Sequence, residues 1–191
     1  MFGLLFIKNK KYNYVISLGL IFTLISDYFL VLNSPSTEET KSIAMTTFSV
    51  AQLIYFVYIL LTSDNKKLNL ANIISRIILC VLMSLITCVV CGDKVNYLAV
   101  ISVFYYTNIA LNLIFSLIQF KKYSLFALGL ILFVLCDTVI GLNSAIGVFI
   151  SVPETSILYK IAFAPFNLAW VFYLPSQVLI ATYQSIPTKK S

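Results

Sequence analysis

Two aspartates carry the chemistry that this sequence suggests. Asp27 lies in SDYFLVLN and Asp137 in CDTVIGLN, each near the far end of a stretch apolar enough to cross a bilayer. A carboxylate within hydrocarbon costs several kcal/mol even on lenient insertion scales, so an intramembrane Asp marks a functional-site candidate. The two arrangements match. Residues 19–33 (GLIFTLISDYFLVLN) align without a gap on residues 129–143 (GLILFVLCDTVIGLN), and Gly, Leu, Ile, Asp, Leu and Asn are identical, six of fifteen. The stretches that follow echo one another, FSVAQLIY (48–55) against FNLAWVFY (166–173), sharing Phe, Ala and Tyr. Paired carboxyls can divide acid and base work between them, one holding a proton while the other orients or deprotonates water.

Those side chains must be held by membrane helices. Of 191 residues 60% are hydrophobic and only 10% charged, far from the composition of a soluble domain. Six stretches near the roughly 20 residues that span hydrocarbon occur at about 13–33, 43–62, 70–91, 95–119, 123–143 and 156–183. The expectation is one transmembrane domain over residues 1–191, an all-α polytopic bundle of six helices. Spans one and two are repeated as five and six, and because three spans intervene the repeat is parallel. Asp27 is fourteen residues past Asn13 and Asp137 fourteen past Tyr123, which sets both carboxyls about 21 Å along their helices at 1.5 Å per residue.

The net charge of +6 follows topology. Lys8, Lys10, Lys11, Lys66, Lys67, Lys121, Lys122, Lys189 and Lys190 fall on one side of such a bundle, with only Lys41, Lys94 and Lys160 on the other. The positive-inside rule then predicts a multi-pass protein of the plasma membrane with both termini cytoplasmic. Nucleic acid is excluded as a partner because the cations are not grouped with aromatics on one face. The sequence has no His, and its CxxC (Cys88, Cys91) stands without a second pair, so no metal or cofactor is expected.

Polar residues at helical spacing suggest a partly hydrated pocket beside the acids. Tyr105, Asn108, Asn112, Ser116 and Gln119 share one face of span four. Gln52 and Tyr55 lie in span two, and Asn167 and Gln177 in span six, while Asn33 and Asn143 close the two repeated motifs. Such stripes are equally what interhelical hydrogen-bonding seams look like. Arg76, near the cytoplasmic end of span three, is expected to snorkel to the inner headgroups. Pro165 and Pro175 are expected to kink span six.

The run GLIFTLISDYFLVLN, FSVAQLIYFVY, YYTNIALNLIFSL and GLILFVLCDTVIGLN resembles, in order and spacing, the YhhN family of membrane proteins, which includes the lysoplasmalogenases. The similarity covers roughly residues 8–183. It departs from the family in span number, since members usually have eight, and in Gln52, where the family commonly shows His. The shorter chain leaves open a compact active form, a homodimer that completes itself, or a member without catalysis. The resemblance implies an ether-bond hydrolase with a lipid or lysolipid substrate, Asp27 and Asp137 as catalytic residues, and no cofactor. Asn33, Gln52, Tyr55, Tyr105, Asn108, Asn112, Asn143 and Gln177 would then support the substrate. A proton-coupled transporter and a non-catalytic membrane protein are the competing readings, because parallel repeats and midmembrane acids serve those too.

Overall fold

The computed structural model describes residues 12–32, 37–146, 150–164 and 167–183. Among them the chain is helical, with one isolated bridge between Ile146 and Ile150. Helix α1 (Asn13–Asp27) passes into a π-helical turn at Tyr28–Leu32. Then follow α2 (Glu38–Thr62), α3 (Lys66–Cys91), α4 (Tyr97–Ile118), α5 (Phe120–Ala145), α6 (Ile157–Ala162) and α7 (Leu168–Tyr183).

Short polar residues start these helices by satisfying orphan backbone donors. Thr37 accepts from the Thr40 amide, Asn65 from Leu68, Asn96 from Ala99 and Ser156 from Tyr159. Helix α3 stops at Gly92, whose φ of 50° is a conformation that L side chains rarely adopt.

Among the described residues five helices are long and apolar enough to cross a membrane: α1 with its π turn, then α2 to α5. The stretch expected as a sixth span is not one helix, for it divides into α6 and α7 around residues 163–167. Helix α7 has sixteen residues, about 24 Å, with Pro175 inside it. Pro165, where a kink was also expected, lies outside the described residues.

Helices α1, α2, α4, α5 and α7 close into a ring, each packed on the next, and α7 returns to α1. Helix α3 lies outside it and packs on α4. Its buried residues are Asn72, Arg76, Cys80 and Thr87, while the rest of its surface is apolar and outward, reaching 82% exposure at Val89. In a bilayer that surface needs no protein cover, whereas the polar stripe must find partners on α4.

Two glycines allow the closest helix approaches. A Cβ on Gly19 would stand 2.3 Å from the Tyr55 ring, and one on Gly129 would stand 2.7 Å from Ile180 and 3.0 Å from the Ser176 carbonyl oxygen. These are the matched glycines of the sequence repeat. Each sits where α1 meets α2, or where α5 meets α7.

At the end of the ring that joins α2, α5 and α7, aromatic rings interlock. Tyr58, Tyr123, Phe126 and Tyr183 pack with centroids 5.8 to 6.5 Å apart. Their hydroxyls are tied in, Thr62 with Tyr123 at 2.7 Å and Tyr183 donating to the Lys122 carbonyl at 3.2 Å.

Candidate active site

Asp27 is the last residue of α1 before the backbone loosens into the π turn, a local distortion found often at functional sites. Two hydroxyls hold this end of the helix. Thr23 donates back to the Gly19 carbonyl at 3.0 Å, and Ser26 donates to Thr47 of α2 at 2.6 Å. The Asp27 carboxylate accepts a short hydrogen bond from the Tyr173 hydroxyl of α7. Asp137 lies within α5 and accepts from the Tyr105 hydroxyl of α4 at 2.6 Å.

The two aspartates lie within electrostatic reach of each other, and Tyr173 lies within reach of both. Both aspartates are half-buried residues, while Tyr105 and Tyr173 are buried. Phe133 packs edge-on against Tyr173 at 5.5 Å and against Phe48 at 6.0 Å, and Phe48 packs on Tyr105 at 5.6 Å. The phenols are therefore clamped by rings, so each hydroxyl is held at its carboxylate. Trp170 also packs edge-on against Tyr173, with centroids 5.6 Å apart. Cys136 is buried beside the pair and feels both charges.

Of the other residues expected around the acids, Tyr105 is there and Tyr55 is close. Tyr55 is fully buried, with its ring under Gly19 and its hydroxyl near Thr23 and Tyr173. Gln52, Asn108 and Asn112 are gathered elsewhere. The face of α4 divides after Tyr105: Asn108 and Asn112 both turn their amide oxygens to Arg76, and Asn112 donates to the Gln52 side chain at 3.0 Å. Arg76 is accordingly only 6% exposed and does not snorkel, because the carbonyl-rich face of α4 solvates its guanidinium within the protein. Asn143 donates to the Ala162 carbonyl at 3.1 Å and lines a cavity of about 480 Å³ between α5 and the α6–α7 segment. Val139 and Ile140 of α5 border the same cavity, so it begins within one helical turn of Asp137. Gln177 donates to Ser176 at 3.2 Å. Asn33 lies outside the described residues.

Tyr173 is the site residue that the sequence did not single out. Its signal was present, since it occupies in the second repeat the place of Tyr55 in the first. The repeat is not followed in the contacts: Tyr173 bonds Asp27, but Asp137 is served by Tyr105 rather than by Tyr55.

The apolar helical ring thus carries two tyrosine-held carboxylates. The YhhN family model matches residues 1–183. The chain belongs to the YhhN family. No curated protein and no solved structure matches it. The match extends over all the described helices of this YhhN protein, so Asp27, Asp137, Tyr105 and Tyr173 all lie within the family region.

Proposed function

We propose that this YhhN protein is a membrane-embedded hydrolase that cleaves the vinyl ether bond of a lysoplasmalogen or related lysolipid, with Asp27 and Asp137 as its acid and base. One observation carries the reading: carboxylates from two distant helices lie within electrostatic reach, each anchored by a buried tyrosine. The YhhN family is the one associated with lysoplasmalogenase, which supplies the substrate class.

In the proposed reaction a protonated Asp gives its proton to the outer vinyl carbon, and the electron pair of the ether oxygen stabilises the oxocarbenium ion so formed. Water adds to that cation as the ionised Asp removes its proton. The resulting hemiacetal breaks its carbon–oxygen bond to give a fatty aldehyde and a glycerophospho-alcohol, with both carboxyls restored. Two carboxylic groups divide glycoside hydrolysis in the same way, through a similar cation. Each Tyr hydroxyl holds one carboxylate oxygen and leaves the other for the proton transfer.

The reading includes a six-span bundle in which α6 and α7 together form the last crossing, with spans one and two related to five and six as a parallel repeat. The matched close contacts at Gly19 and Gly129 support it. Both termini are assigned to the cytoplasm and the protein to the plasma membrane, on the lysine distribution alone.

Purified protein in detergent should release aldehyde from a lysoplasmalogen without ATP, metal or an ion gradient. Asp27→Asn and Asp137→Asn should each lower the rate at least about 100-fold, the lower range for loss of a general acid or base. Undiminished release in both variants would overturn the two-carboxylate mechanism. Gradient-driven solute uptake into liposomes, with no ether lipid hydrolysed, would replace the hydrolase by a carrier.

A further inference from the structure

The cavity next to Asp137 holds neither carboxylate in place, yet it opens along the same helix. Val139, Ile140 and Asn143 of α5 form one wall, Ala162, Asn167 and Leu168 belong to the other, and the space measures about 480 Å³. None of the described residues that line it is charged, and its polar side chains are the amides of Asn143 and Asn167. Both asparagines are exposed. Asn143 spends an amide hydrogen on the Ala162 carbonyl at 3.1 Å, which leaves its Oδ1 without a donor among the described residues. The Asn167 side chain makes no hydrogen bond among them, while its backbone carbonyl accepts from the Trp170 amide at 3.1 Å.

Depth decides what such a cavity can receive. Asn143 stands twenty residues past Tyr123, about 30 Å along α5, which is the thickness of the hydrocarbon core. Its amide thus reaches the polar boundary, at the end of α5 opposite Lys121 and Lys122. Asp137 is six residues deeper, about 9 Å. A lysolipid aligned with the bilayer presents its groups in the same order: hydrocarbon chain and vinyl ether, then glycerol, then phosphate. With the vinyl ether at Asp137, the glycerol falls at the cavity. The phosphate lies beyond it, where its charge is met by water rather than by an uncharged wall. Resting on the hydrolase reading, we infer that the cavity between α5 and the α6–α7 segment binds the glycerol of the lysolipid, Asn143 Oδ1 accepting from its free hydroxyl and Asn167 supplying a second amide. Acylation of that hydroxyl removes the donor, so the site selects a lysolipid over a two-chain lipid.

Trp170, the single tryptophan of the chain, follows the lining residues Leu168 and Ala169 and packs on Tyr173 at 5.6 Å, so its emission reports on the cavity and on the carboxylate site. The full chain in uncharged detergent is titrated with a lysolipid whose vinyl ether is reduced to a saturated ether, which can bind but cannot be cleaved. Emission should change saturably. The 2-deoxy analogue, with CH2 in place of CHOH, should need about ten-fold more lipid, the upper range for one neutral hydrogen bond. In Asn143→Leu that preference should vanish. Because this variant also loses the bond to Ala162, Asn167→Leu serves as a second, which gives up no hydrogen bond among the described residues and should narrow the preference. No saturable change with the hydroxyl lipid, or a preference kept in full by both variants, would overturn the inference. The vinyl ether lipids separate it from the reaction itself. Equal aldehyde release from the hydroxyl and 2-deoxy vinyl ethers removes the glycerol site and leaves the hydrolase. A binding preference that Asn143→Leu abolishes, with no aldehyde from either vinyl ether, leaves the site and removes the hydrolase.

Discussion

At the scale of single residues, the weight falls on two phenols. Tyr105 and Tyr173 each give their hydroxyl hydrogen to a carboxylate, and rings at 5.5 to 5.6 Å keep them there. A hydrogen bond to a charged group contributes about 1.5–3 kcal/mol, and about 1.4 kcal/mol is a factor of ten in rate. Tyr105→Phe and Tyr173→Phe should therefore each lower kcat for aldehyde release about 10- to 100-fold, with the fold intact by circular dichroism. The aspartates were legible in the sequence because their motif occurs twice. Tyr105, the partner of Asp137, was named from the polar face of span four, but Tyr173 was not, since it is 146 positions from Asp27 and only ring closure brings them together. Arg76 was misread for a related reason: span three itself offers it only Asn72, while the other acceptors that bury it are Asn108 and Asn112 of the next helix.

At the scale of elements, helix contacts depend on what is missing at glycine. At Gly129 an added Cβ would meet the backbone oxygen of Ser176 at 3.0 Å, which cannot turn aside as a side chain can. At Gly141, on the same helix, nothing lies within 4 Å. Overpacking costs about 1–3 kcal/mol, and Ala exceeds Gly in helix propensity by up to about 1 kcal/mol. Gly129→Ala should thus lower the thermal midpoint in detergent while Gly141→Ala raises or preserves it. The five long helices were visible as apolar runs, with ends displaced by a few residues because caps such as Thr37 and Asn65 start helices before the apolar run begins. The last stretch was expected to bend at Pro165 but not to divide, because its composition stays largely apolar past Ala162, where α6 ends and the described residues 163, 164 and 167 are not helical.

At the scale of the whole molecule, α2 is fastened to α5 and α7 by the interlocked rings and by one ion pair. Lys122 meets Asp64 at 2.7 Å and also donates to the Thr62 carbonyl oxygen. The ammonium beside it holds the Asp64 carboxyl below the ordinary carboxylate range. A carboxyl with a lowered folded-state pKa adds stability above its unfolded pKa, near 3.9, and loses it as the pH falls through the folded value. Asp64→Asn should accordingly be slightly less stable than the natural chain at pH 7. That gap should close on acidification below about pH 4 and shrink with added salt, because the pair is exposed. Thermal midpoints of the two proteins at matched pH and ionic strength test this.

The bond between Tyr173 and Asp27 also has a consequence in time. A chain made from its N-terminus places Asp27 early, and the hydroxyl that will hold it belongs to α7, made 146 residues later. Until then the carboxyl has no phenol to hold it, and the pair with Asp137 is only half anchored. In the proposed hydrolase both acids would be positioned only once α7 is made, so that a chain interrupted before α7 would carry both acids in a bundle unable to hold Asp27.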